Sequence, residues 1–250
     1  MNKKSLRPKI LITGGTSRFC KYLKKELKKF KTVFPNKKEF NIKNFDSMKL
    51  FLKNKKIDII IHIAGLSRPM KIHDQEPITS IDLNIIGTAN VVKISKLHNI
   101  KLIYFSTAYV YPGTTGNYKE TDSLRPFNNY GWSKLGGECA VKMYENSLIL
   151  RLSVTDYPFT HSKAIKGAIS SFIFNKDAAK IIPLLLDQKG VINLGGKRRD
   201  IYKFAKKFNN KIEYVDYKKI KNFAKDSSLN IKKLQNILHK KNFNKIDIEL

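Results

Sequence analysis

Lys9-Ile10-Leu11-Ile12-Thr13-Gly14-Gly15-Thr16-Ser17-Arg18-Phe19-Cys20 is the stretch on which the reading of this chain turns. Its first five residues form an apolar run that reads as a short buried strand. The glycines break it at once, and over residues 21–30 Leu23, Leu27 and Phe30 fall on one helical face. A strand, a glycine turn and a helix in that order present free backbone N–H groups and a helix N-terminus, the layout that holds a dinucleotide pyrophosphate. The turn is incomplete as a motif. In a Gly-x-x-Gly-x-x-Gly frame only Gly14 stands, while Ser17 and Cys20 occupy the later positions. Both are small, so close backbone approach and helix packing can persist. Taken alone, the stretch reads better as a plain strand-turn-helix.

The surroundings repeat the alternation. Thr32-Val33-Phe34 is a second short strand, stopped by Pro35. Its exit, Pro35-Asn36-Lys37-Lys38, carries no acid before Glu39. An acid there would bond the adenosine ribose hydroxyls, whereas lysines suit a 2′-phosphate and favour NADPH over NADH. An amphipathic helix is expected over 44–55 and a buried strand over 57–65, ending in Ala64-Gly65, small enough for a cofactor to lie against the backbone. His62 inside that strand reads as a packed core residue. A helix over 82–97 turns Asn84 the same way as Thr88 and Val91. The next strand, 102–107, closes on Ser106 and Thr107, at the carboxyl end where open parallel sheets bind ligands. Further strands are expected at 148–152, 190–196 and 212–215, and helices at 175–186, 201–208 and 230–239, the first kinked or ended by Pro183. The whole is a Rossmann-type doubly wound parallel sheet. Residues 1–153 form the dinucleotide-binding part, 154–240 a small, shortened substrate-binding part interleaved with the last sheet elements, and 241–250 a tail.

Between the strand ending at Thr107 and that at 148 lies Asn128-Asn129-Tyr130-Gly131-Trp132-Ser133-Lys134. In a helix Tyr130 and Lys134 share one face. An ammonium beside a phenol favours phenolate and is expected to pull its pKa of about 10 downward. Spacing alone proves little in so lysine-rich a chain: Tyr202/Lys206, Tyr214/Lys218 and Tyr217/Lys221 repeat it. Only Tyr130 follows a strand that ends in hydroxyls.

The chain has 250 residues and a net charge of +29, with only seven arginines among 49 basic residues. The lysines are spread along the chain, without the concentrated patch and interleaved aromatics of a nucleic-acid surface, so nucleic acid is disfavoured as a partner. No apolar run reaches the roughly 20 residues that span a bilayer. Met1-Asn2-Lys3-Lys4 runs straight into the first strand, leaving no room for a signal peptide, and two unframed cysteines suit a cytoplasmic location.

The chain resembles the extended short-chain dehydrogenase/reductases, the NAD-dependent epimerase/dehydratase family. Residues 12–15, 58–65, 84–90, 105–113, 120–122, 125–126 and 130–138 carry the resemblance in order. Ser106-Thr107-Ala108-Tyr109-Val110-Tyr111-Pro112-Gly113 and Tyr130-Gly131-Trp132-Ser133-Lys134-Leu135-Gly136-Gly137-Glu138 look most like the dTDP-4-dehydrorhamnose reductase branch. The resemblance implies catalysis by Thr107, Tyr130 and Lys134: Tyr130 as general acid, Lys134 on the nicotinamide ribose, Thr107 on the substrate oxygen. It implies NADP or NAD bound by Gly14, Gly15, Ser17, Arg18, Phe19, Ala64, Gly65, Ser106, Tyr130 and Lys134, with no metal. Arg18 is within reach of an NADPH phosphate, and Arg125 and Arg151 read equally as phosphate partners of a nucleotide sugar or as surface or capping residues.

Chemistry narrows the reaction. The family's dehydratases carry Asp-Glu after the threonine, and here Ala108-Tyr109 stands. A 3,5-epimerase needs a further acid/base, and neither Cys20 nor Cys139 is placed for it. Reduction of a keto group on a nucleotide-activated sugar is the leading expectation. A nucleotide-sugar 4-epimerase and, from another class, a non-catalytic polyanion-binding protein are the alternatives. The pocket can be completed by a second copy in a homodimer.

Overall fold

Alternating side chains let one sheet be covered on both faces. In β1 (Lys9–Thr13) Ile10 and Ile12 pack to one side and Leu11 to the other. The same alternation runs through β3 (Ile59–His62), β4 (Lys101–Thr107), β5 (Ser147–Leu152) and β6 (Gly190–Leu194). With the short β2 (Lys31–Val33) they form a six-stranded, wholly parallel sheet in the order β6-β5-β4-β3-β1-β2. The computed structural model describes residues 7–243. The N-terminal lead-in and most of the 241–250 tail lie outside the described residues.

Helices α1 (Arg18–Glu26), α5 (Asn175–Ile181) and α6 (Lys232–Lys240) cover the Ile10 face. On the Leu11 face lie α2 (Phe45–Leu52), α3 (Gly87–Leu97) and α4 (Asn129–Lys142). This is the expected Rossmann-type, doubly wound α/β fold. Because the chain leaves β1 for β2 on one side and β3 on the other, the crevice that takes a ligand opens between the carboxyl ends of β1 and β3.

Three local features differ from the sequence periodicity. The helix expected over 82–97 begins as a π-helix, Ile81–Ile86, before α3, and the short helical turns Ile72–Gln75 and Pro77–Ser80 precede it. The helix expected to 186 ends at Ile181 and tightens into a 3₁₀ turn, Ile182–Leu185, because Pro183 has no N–H to donate. The strand near 212–215 forms as Glu213–Asp216 but stays out of the main sheet, pairing with Lys163–Lys166. It belongs to a small outer lobe with its own apolar cluster of Phe159, Ala164, Phe174, Phe204, Ala205 and Ile212. Among the described residues no helix is long and apolar enough to cross a membrane.

Candidate active site

The crevice is built on close backbone approach. Gly14 has φ +72°, and a Cβ there would lie 2.7 Å from the Ala64 nitrogen. Ser17, at the second glycine position of the motif, has φ −65° and ψ 153°, ordinary extended backbone that needs no glycine. Its hydroxyl caps α1 by accepting from the Cys20 N–H at 3.3 Å. Cys20 is fully buried against the sheet. The two substitutions therefore leave the turn closed and unstrained. Replacing Gly14 by Ala is a different matter: left-handed backbone costs a side chain about 1–2 kcal/mol before the contact with Ala64 is counted. A Gly14→Ala variant should melt earlier, as calorimetry would read.

The side chains around the turn are distributed unlike the expectation. Phe19, expected to face a cofactor, is turned into the core, its ring edge-on to Phe105 at 5.0 Å, which leaves its backbone alone for a ligand. Arg18 donates to Asp156 Oδ2 at 2.6 Å. Asp156 also accepts from Arg68 at 3.4 Å and from Asn175 Nδ2 at 2.8 Å, so it ties together the loops that follow β1, β3 and β5. Beyond β2, Asn36 caps its own turn, and Glu39 is spent on the Asn36 N–H at 2.8 Å. Lys37 and Lys38 are left exposed there.

Tyr130 stands in the first turn of α4, whose N-terminus Asn128 caps by accepting from the Gly131 N–H at 2.8 Å. Thr107 hydrogen-bonds the phenol, and the ring contacts His73 at 5.1 Å and Tyr109 at 6.0 Å between centroids. Burial holds the Tyr130 pKa above its ordinary value; Thr107 and then the charge of Arg68 pull the other way. The expectation that Lys134 lowers it is not met. Lys134 is itself buried, and burial takes its pKa down to about 7, against the upward pull of Glu138. A lysine in that state is only partly charged at neutral pH, and it is not among the charges that act on the phenol. Its ammonium looks at Gly65, where a Cβ would lie 4.0 Å from Nζ and 2.6 Å from Asn84 Oδ1.

Asn84, brought inward by the π-helix, clamps this corner. Its side chain accepts from the Leu66 N–H at 2.7 Å and donates to the Leu66 carbonyl at 2.8 Å and to Ser133 Oγ at 2.9 Å. Ser133 in turn donates to the Tyr130 carbonyl at 2.8 Å. The loop beneath Gly65 and the Tyr130 turn are thus one unit. Arg68, His73, Ser133 and Asp156 were not singled out from the sequence. Arg68 alone had a usable signal, its place just past the carboxyl end of β3. The other three Tyr/Lys pairs fall on the outer lobe, away from the strand ends.

Residues 8–165 match the RmlD substrate binding domain. The chain belongs to the RmlD substrate binding domain family. A methionine adenosyltransferase 2 subunit beta from Xenopus laevis is 31% identical over 154 residues, covering 58% of this chain and 46% of that protein. A dTDP-4-dehydrorhamnose reductase from Aggregatibacter actinomycetemcomitans is 29% identical over 152 residues, 59% of this chain and 51% of that protein. The chain spans about half the length of the curated relatives it matches. Among solved structures, a dTDP-4-dehydrorhamnose reductase from Bacillus anthracis in complex with NADP superposes with a TM-score of 0.82 at 22% identity, covering 93% of this chain and 92% of that one. That likeness is one of fold.

In this RmlD-family chain, two candidate ligand groups serve the core instead. Ser106 donates to Glu138 Oε2 at 2.7 Å. Arg151, a candidate phosphate partner, is buried in a fork with Glu138 and also donates to Tyr111 Oη at 2.7 Å and the Glu120 carbonyl at 3.0 Å. Its nitrogens Nε and Nη1, and one Nη2 hydrogen, are engaged in the core. Arg125 is exposed. His62 is a core residue as expected. Thr13 Oγ1 accepts from the Ile63 and Ala64 N–H groups at 3.2 and 3.1 Å, so its proton goes to His62 Nδ1 at 2.8 Å, leaving Nε2–H to donate to Thr88 Oγ1 at 3.1 Å. Burial takes the His62 pKa from 6.5 down to about 3. With the folded value depressed, the unfolded chain takes up the proton first as pH falls. Stability should therefore drop from pH 6.5 toward 3, by up to about 1.4 kcal/mol per pH unit from this group. Urea titrations across that range, with His62 followed by NMR as an uncharged ring, would check it.

Proposed function

We propose that this chain is an NAD(P)H-dependent oxidoreductase of the cytoplasm that reduces the keto group of a nucleotide-activated sugar, with NADP the favoured cofactor. The observation that carries the reading is the contact of Tyr130 with Thr107, with Lys134 beside Gly65, at the carboxyl ends of β3 and β4. The chain fits a dinucleotide in two respects. Gly14 keeps side-chain atoms out of the turn before α1, whose first turn bears no acid, and the exit from β2 offers Lys37 and Lys38 with no free carboxylate beside them. Gly14, Gly15, Ser17 and the backbone of Arg18 and Phe19 would hold the pyrophosphate, with Ala64, Gly65 and Lys134 toward the nicotinamide.

A bound nicotinamide supplies the hydride. Tyr130, held protonated at neutral pH by burial, gives its proton to the substrate oxygen, and Thr107 holds that oxygen. A phenol poised as an acid suits reduction. Arg68 favours the phenolate left behind. The relatives' names support the nucleotide sugar as substrate class. The apolar Trp132, exposed on α4, and Met143, exposed at its C-cap, support a homodimer. A second reading, a dinucleotide-binding subunit of a larger enzyme, has the likeness to methionine adenosyltransferase 2 subunit beta in its favour.

The test mixes the purified chain with NADPH or NADH and a panel of dTDP- and UDP-activated 4-keto sugars, following cofactor absorbance. Turnover with one of them is expected. Cofactor binding without turnover of any sugar would favour the subunit reading.

A further inference from the structure

Lys134 is an amine buried in the core and partly charged at neutral pH, and its surroundings are unusual. Its Nζ stands 4.3 Å from the centroid of the Tyr104 ring. The hydroxyl of that same tyrosine donates to the backbone carbonyl of Lys134 at 3.2 Å. Tyr104 is fully buried on β4, and one side chain thus touches both ends of the lysine. Such a contact needs β4 and α4 to approach closely. Gly137 permits it: a Cβ there would lie 2.8 Å from Tyr104 Oη, 3.1 Å from Thr88 Oγ1 and 2.4 Å from the Asn84 carbonyl.

The Tyr104 hydroxyl is also the end of a directed chain of hydrogen bonds. Thr13, at the end of the strand that leads into the glycine turn, donates to His62, and His62 donates to Thr88. Thr88 hydrogen-bonds the Tyr104 oxygen, and Tyr104 donates to Lys134. Each proton is assigned by the one before it, because Thr13 Oγ1 is already occupied as an acceptor by two backbone N–H groups.

We propose that Tyr104 is the positioning residue for Lys134, its ring face carrying the ammonium and its hydroxyl fixing the turn of α4 from which the lysine projects. The chain through Thr88, His62 and Thr13 ties that turn to the glycine turn across β1, β3 and β4. The inference rests on the reading of Lys134 as a group of the active site. The ring acts through its quadrupole, which favours the charged form of a cation lying on its face. The titratable groups that face Lys134 are Glu138 on its own helix, Tyr104 on β4, His62 on β3 and His73 on the turn before the π-helix. Of these only Glu138 is an anion at neutral pH, and it is shared with Arg151. The aromatic face is therefore a principal partner of the ammonium.

The experiment replaces Tyr104 with Phe and then with Phe carrying one, two and three ring fluorines, which weaken the ring's hold on a cation at nearly constant shape. The Lys134 ionisation is read in the full chain without cofactor, by NMR of carbon-13-labelled lysine, its signal assigned by its absence from Lys134→Met. Each fluorine should lower the Lys134 pKa, by about one unit across the series, or tenfold in the ratio of charged to neutral amine. A pKa that stays flat from Phe to the trifluorinated ring overturns the proposal, since a merely structural Tyr104 would not follow ring electron density. Thermal unfolding of each variant identifies those that fold. The two readings fail separately. A flat series with an inactive Lys134→Met variant sinks the role of Tyr104 and leaves the site; a graded series with a fully active Lys134→Met variant does the reverse.

Discussion

Tyr130→Phe is expected to lower kcat by about 10²–10⁴-fold, the usual worth of a positioned general acid, while cofactor affinity stays near the wild-type value. The reasoning is local. The phenylalanine keeps the ring contacts with His73 and Tyr109 and leaves the Asn128 cap and the Ser133 bond to the backbone intact, so α4 begins as before. Only the hydroxyl is lost. On the proposed function Thr107 would still hold the substrate oxygen but has no acidic proton of comparable strength to give. Steady-state kinetics with the accepted sugar, beside a cofactor fluorescence titration, separates the two quantities. Undiminished kcat would remove Tyr130 from the mechanism.

Arg151→Met should be the most damaging single change to stability. It leaves Glu138 buried without its cation, and breaking a buried pair in this way costs about 3–5 kcal/mol. In a chain of this size that corresponds to a fall in Tm on the order of 10 °C. The loss spreads because Arg151 also donates to Tyr111 Oη, whose one proton is shared between Asn193 Oδ1 on β6 and the Lys119 carbonyl. Four elements, β4, α4, β5 and β6, meet at this hub. The pair Glu138→Leu with Arg151→Met removes both charges and should cost less than Arg151→Met alone. Urea unfolding of the two variants tests the ranking, and a double variant less stable than the single one would contradict it.

What the sequence made legible was whatever depends on short-range pattern. Runs such as 59–62 and 102–107 are apolar on both faces because the strands are buried on both, and the glycine turn sits where a single left-handed residue is needed. The location of Tyr130 followed from chain order. What stayed hidden depends on depth and on long-range partners. Lys134 reads as a full charge in a lysine-rich chain, but burial takes its pKa down to about 7, so it is only partly charged at neutral pH and its expected effect on Tyr130 is not seen. Arg151 reads equally as a phosphate partner, a surface residue or a cap, and nothing local says that Glu138, on a different element, faces it. Ser106 and Thr107 are adjacent in sequence, yet the pleat sends one to Glu138 and the other to Tyr130. The π-helix carries no period distinct enough from an α-helix over six residues to be seen in advance.

The outermost strand has a consequence for how the molecule behaves in a crowded solution. β2 contributes only Lys31, Thr32 and Val33 to the sheet, and Pro35 follows almost at once, with Lys37 and Lys38 beyond it. A longer, flatter rim would offer a row of free N–H and C=O groups on which another chain could add strand by strand. Here the rim is three residues long, begins with a cation and ends at an imino acid. Fibrillar growth from this side of the folded protein finds almost no template.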